Sequence, residues 1–265
     1  MKKKSEYSIY TWLAILILIA AGTIVFEIKN ASAYQLEPRA DEVASYKTKD
    51  NANKETVGWL RVQGTNIDFP VLYAPGYDFR YEPGKFTWTE AKFDNLNNIV
   101  FISGHNIKNM SKHPLIADPS HDRFEQLMSF AYYDFAKENQ FIQYTFNGVD
   151  YLYRIYSVAF YDASDVDMYN SIEYPREDLR DFIKSTLRES LYEYDTSVNE
   201  NDKLISLNTC TAMFGDDEDI RITVNARLVR DGEKIKLANI KETAAYKEIE
   251  KIMEGGGSYE ETDEI

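Results

Sequence analysis

The sequence predicts a mainly β domain, a barrel or sandwich with inserted helices, preceded by one membrane-spanning segment. Three observations lead there. Seven short runs rich in Val, Ile, Tyr and Phe recur between Val57 and Val229, separated by Gly, Pro, Asn and Asp. Only two stretches among them have the three- and four-residue spacing of an amphipathic helix. An uncharged apolar run from Ile9 to Phe26 follows Met1-Lys2-Lys3-Lys4.

That run comes first in the chain. Eighteen residues at about 1.5 Å each reach roughly 27 Å, close to the hydrocarbon thickness of a bilayer. The lysines favour a cytoplasmic N-terminus over residues 1–8, an anchor over 9–28 and everything later outside the cell. Tyr7, Tyr10 and Trp12 suit an interfacial aromatic belt. Ala31-Ser32-Ala33 offers the rival, a signal-peptide cleavage site, but the apolar run exceeds the usual ~7–15-residue core of such peptides. Residues 29–55 read as a polar spacer or short helix, with weak helical spacing through Leu36, Ala40, Val43, Ala44 and Tyr46.

Strands are predicted at Val57–Val62, Phe69–Tyr73, Asn98–Ser103, Phe141–Phe146, Tyr151–Phe160, Lys203–Asn208 and Arg221–Val229. The last has the clearest alternation, with Ile222, Val224, Ala226 and Leu228 on one face. A helix is predicted over Arg123–Glu138 through Phe124, Leu127, Met128, Ala131 and Phe135. A second is predicted over Asp178–Leu191 through Leu179, Phe182, Ile183, Leu187 and Leu191. Residues 231–265 form a charged extension: a surface helix using Ile235, Leu237, Ile240, Ile249 and Ile252, then Gly255-Gly256-Gly257-Ser258 and an acidic end.

Composition removes several function classes. Of 265 residues, 30 are Lys or Arg and 44 are Asp or Glu, a formal charge of −14, which repels nucleic-acid phosphates. An apolar content of 44% is too high for a disordered chain. A single cysteine excludes a disulfide framework and multi-cysteine metal clusters. His105, His113 and His121 stand eight apart, which matches no usual zinc spacing. Asp216-Asp217-Glu218-Asp219 lacks the calcium-loop pattern and reads as a solvated acidic face. Gly255–Gly257 follows no strand, so there is no phosphate-cradling loop. No metal and no cofactor is expected. A spare thiol in an exported domain is a liability unless it is used.

Cys210 ends the strand Leu204–Thr209. Alternation assigns Ile205, Leu207 and Thr209 to the core, so Cys210 emerges on the opposite side. Arg221 opens the next strand, and His105 lies just past Ile99–Ile102 in the turn Ser103-Gly104-His105-Asn106. Three strand ends can therefore offer a thiol, an imidazole and a guanidinium. A thiolate is a nucleophile, an imidazole moves protons, and a guanidinium suits an oxyanion. Residue types alone leave open an inert packed Cys beside a structural His.

Leu207-Asn208-Thr209-Cys210, with Arg221 in Ile220-Arg221-Ile222-Thr223-Val224, resembles the Cys–Arg signature of sortases, and Ser103-Gly104-His105-Asn106 resembles their Gly-His motif. Thr56-Val57-Gly58-Trp59-Leu60 with Gly64–Val71, and the helix before the Cys strand, are similar to class B members. The resemblance spans residues 56–230. It implies a closed eight-stranded barrel and a membrane-anchored cysteine transpeptidase that cuts a C-terminal sorting signal of exported proteins through a thioester. The acceptor it implies is an amine, either of a peptidoglycan precursor or of a pilin lysine. Cys210 is the implied nucleophile, His105 the general acid/base and Arg221 the oxyanion group; Asn208, Thr209 and Tyr169 are assigned to substrate binding. Asn208 stands where class B members usually carry Ser, and Thr211-Ala212 where they often carry an acidic residue. The NPxT-like motif of the family therefore need not be this chain's. The alternatives are a non-catalytic membrane-tethered scaffold with Cys210 merely packed, and a cysteine protease that only hydrolyses.

Overall fold

A computed structural model describes residues 34–45, 55–73, 87–89, 98–106, 124–162, 176–211, 213–214 and 220–254. The strands are β1 (Glu55–Val62), β2 (Asp68–Tyr73), β3 (Thr87–Thr89), β4 (Ile99–Gly104), β5 (Phe141–Phe146), β6 (Val149–Asp162), β7 (Tyr192–Tyr194), β8 (Leu204–Thr211), β9 (Ile220–Leu228) and β10 (Ile240–Glu242). The α-helices are α1 (Ala40–Ser45), α2 (Tyr133–Glu138), α3 (Arg176–Arg188) and α4 (Ala244–Glu254), and a 3-10 helix covers Phe124–Ala131.

The mainly β expectation holds. The sheet closes into a barrel in the order β1-β2-β3-β4-β8-β9-β6-β5, with β5 returning to pair with β1. Seven of these strands have six residues or more, and the three-residue β3 bridges β2 to β4. Closure encloses one apolar core, including Leu60, Val71, Ile102, Ile142, Tyr153, Ile205, Leu207 and Val224. Asn147 and Gly148, both at positive φ, make the two-residue turn between β5 and β6, the backbone that a tight hairpin of this twist needs.

Helices cover the wall where its outer side is apolar. Leu179, Phe182 and Ile183 of α3 pack on Ile99, Tyr156 and Leu204, so β4, β6 and β8 bury side chains on both faces. The helix predicted over Arg123–Glu138 is two helices. Tyr132 takes an extended conformation between them, and all eight residues of the 3-10 helix are buried. Docking onto β8 and β9 overrides the continuous helical period.

The ends of the described chain also pack on the barrel. Arg39 pairs with Asp68, which also accepts from Trp59 Nε1, while Arg61 pairs with Glu37. The stretch expected to form a surface helix from residue 231 is instead an irregular strap, the short strand β10 paired with β7, and α4. Thr243 Oγ1 accepts from the Tyr246 amide at the start of α4, and Tyr246 and Ile249 are buried in the barrel's core cluster. Strands β3, β7 and β10 were not expected. Among the described residues no helix is long and apolar enough to cross a membrane; residues 9–28 lie outside them.

Candidate active site

The site is built from the register of three strands. Cys210 on β8 stands directly opposite Arg221 on β9 in an antiparallel pair. Side chains at opposed positions share a face with Cβ atoms roughly 4.5–5.5 Å apart. On the other flank β4 runs parallel to β8 with Ser103 beside Asn208. Carrying that register two residues on brings His105 level with Cys210. The thiol, imidazole and guanidinium expected at one rim are therefore carried by adjacent strand ends.

Burial follows the alternation read from the sequence. Ile205, Leu207 and Thr209 face the core, while Leu204, Ser206 and Asn208 lie on the other face and are buried too. Cys210 alone on β8 is exposed, a free thiol at the end of that second face. His105 and Arg221 are half-buried.

A seam of side chains fixes the rim. Ser103 Oγ donates to Asn208 Oδ1 at 2.9 Å, and Thr209 Oγ1 donates to the Gly104 carbonyl at 2.7 Å. Asn106 Nδ2 donates to the Cys210 carbonyl at 2.6 Å. Gly104 is required by packing, since a Cβ there would lie 2.4 Å from the Phe124 ring. Beyond the nucleophile strand, Met213 is buried, its amide donates to Thr211 Oγ1 at 3.1 Å, and Phe214 packs edge-on to Phe160 at 5.2 Å.

Asn208 and Thr209, assigned to substrate binding from the sequence, are buried and spend their side chains tying β8 to β4. Tyr169, His113, His121 and Asp216–Asp219 lie outside the described residues. Among the described residues no three His, Cys, Asp or Glu side chains gather as a metal site. The residue missed by sequence reading is Asn106, whose partner is 104 positions away.

No family model matches the chain. It is 22% identical over 196 residues to sortase B of Staphylococcus aureus, covering 70% of this chain and 75% of that protein. It is 26% identical over 188 residues to sortase B of Listeria monocytogenes, covering 67% of this chain and 71% of that protein. The chain is thus similar to sortases, most like those of class B. A crystal structure of a sortase B in complex with triglycine shares the fold, with a TM-score of 0.56 at 20% identity over 87% of this chain and all of that one. This chain's lone cysteine, Cys210, is the exposed one just described.

Proposed function

We propose that this chain is a sortase, a single-pass membrane cysteine transpeptidase anchored by residues 9–28 with its barrel outside the cell. It cleaves a C-terminal sorting signal of exported proteins and transfers the new C-terminus to an amine. Cys210 is the nucleophile, His105 the proton carrier and Arg221 the oxyanion donor. One observation carries this reading: an exposed thiol stands opposite a guanidinium in strict register, with an imidazole-bearing turn bonded to its own backbone.

The chemistry follows from those three groups. The Cys210 thiolate attacks the scissile carbonyl carbon, and Arg221 donates to the oxygen that becomes negative. The intermediate collapses as the C–N bond breaks, and His105 gives its proton to the leaving amine. A thioester on Cys210 remains. The incoming amine yields a proton to His105 and attacks the thioester carbonyl; the C–S bond breaks and the thiolate returns. Two acyl transfers through a good leaving group replace one difficult amide exchange. The triglycine in the related sortase B complex carries a free α-amine, in keeping with an amine acceptor.

The test uses full-length protein in detergent, a sorting-peptide library and intact-mass spectrometry. The expected result is a thioester on Cys210, resolved to ligated product when triglycine is supplied. Free acid alone in the presence of triglycine identifies a hydrolase instead. A thiol that forms no adduct with any peptide, and that blocks nothing when alkylated, identifies a scaffold.

A further inference from the structure

The reaction above uses Cys210, His105 and Arg221 and gives no task to the residue after the histidine. Strand β4 ends at Gly104, so His105 lies just past the last ladder position. What holds it are clamps on either side. The Gly104 carbonyl accepts from Thr209 Oγ1, and Asn106 Nδ2 donates to the Cys210 carbonyl. His105 is thus pinned between two consecutive residues of the nucleophile strand, and the second pin ends on the nucleophile's own backbone.

The way Asn106 makes its bond is informative. A carbonyl only accepts, so the amide nitrogen must face Cys210 and Oδ1 must point away. There Oδ1 is buried and has no hydrogen-bond partner among the described residues. Buried acceptors without a donor are uncommon and costly, so one beside the nucleophile strand asks for an explanation. Among the described residues its side chain keeps a single bond, to the residue that carries the sulfur.

We propose that Asn106 is a positioning residue for acyl transfer, setting the spacing between the imidazole of His105 and the sulfur of Cys210. The inference rests on the catalytic reading above and deepens it. Misplacing reacting groups by about 1 Å can lower a rate about 100-fold. The bond therefore acts on turnover more than on peptide affinity.

Three variants test it in the full-length protein. Asn106→Leu removes the donor and the unpartnered oxygen together at similar size. Asn106→Asp keeps the shape but turns an acceptor toward the Cys210 carbonyl, and Asn106→Gln keeps the donor on a longer arm. Two rates are read: iodoacetamide alkylation of Cys210, and kcat and KM for the peptide giving the strongest wild-type thioester. For N106L we expect kcat to fall about 10- to 100-fold with KM within about threefold, alkylation slower by about fivefold or more, and Tm unchanged or higher. N106D should be at least as slow, and N106Q should recover part of the loss. Alkylation within about twofold of wild type in both N106L and N106D overturns the proposal, as does a kcat loss that tracks Tm with no recovery in N106Q. Wild-type protein that forms no thioester overturns the transfer reading instead, and the alkylation ratios still decide the role of Asn106.

Discussion

Seven of the eight residues of β8 are buried and the eighth is Cys210, which is not how a packing cysteine sits. Cys210→Ala should therefore leave Tm within about 2 °C of wild type while removing every peptide adduct, read by thermal melting and intact mass on one sample. Arg221→Lys separates charge from shape. A lysine keeps the positive charge but not the planar fork, and losing one oxyanion donor typically lowers kcat about 100- to 1000-fold. A steady-state kcat reduced at least about 30-fold is the expected outcome; near-normal turnover would remove Arg221 from the oxyanion. The convergence of Cys210, His105 and Arg221 on one rim was legible because Cys210 and His105 lie at the ends of apolar strands and Arg221 at the start of the next. Asn106 was not, because its bond to Cys210 joins positions that only the fold brings together. Nor was the use made of Asn208 and Thr209, since sequence shows a hydroxyl or an amide but not the strand it fastens.

Among the elements, long strands with a buried face announced themselves, as β5 did with both ends as expected and β9 within one residue. Strands β3, β7 and β10 have three residues each, too few for any period; they exist because a neighbour offers a ladder. The 3-10 helix was misread as α-helix because its apolar spacing is helical while its backbone is tightened by full burial. That element also sets the site's floor, since the Phe124 ring fills the space a side chain at Gly104 would need. Gly104→Ala should cost about 1–3 kcal/mol by denaturant titration and slow turnover, because the strain falls on the residue before His105. Adding Phe124→Leu should return part of that stability. A double-mutant cycle with no coupling would show that the two residues do not compete for the same space.

The whole molecule sets many acidic side chains against a few arginines that it has taken inside. Arg154 on β6 and Arg227 on β9 stand directly opposite each other, with side chains only 5% and 3% exposed. Two buried guanidiniums side by side repel, and burial pushes the Arg154 pKa down. Glu233, on the strap after β9, answers both: its oxygens lie 2.7 and 2.8 Å from Arg227 and 3.1 Å from Arg154 Nε. The hydrogen bonds from Arg227 hold its carboxyl far below the usual range, at about 2 rather than 4.5. A carboxylate lowered in the folded state adds stability that is complete above about pH 4.5 and disappears as pH falls through about 2. The shift amounts to about 2–3 kcal/mol, allowing for the part of Glu233 that faces water. Glu233→Gln should therefore lower unfolding free energy by about 3 kcal/mol at pH 7, because both arginines lose their counter-charge. Near pH 2 the wild-type carboxyl is about half protonated in the folded state and almost fully protonated in the unfolded one, and the gap should close to under about 1 kcal/mol. Urea titrations of both proteins at the two pH values decide it, and a gap independent of pH would mean that Glu233 acts through packing. Because the same strap leads into β10 and α4, the loss should appear first as hydrogen exchange across residues 229–254, well before the barrel opens.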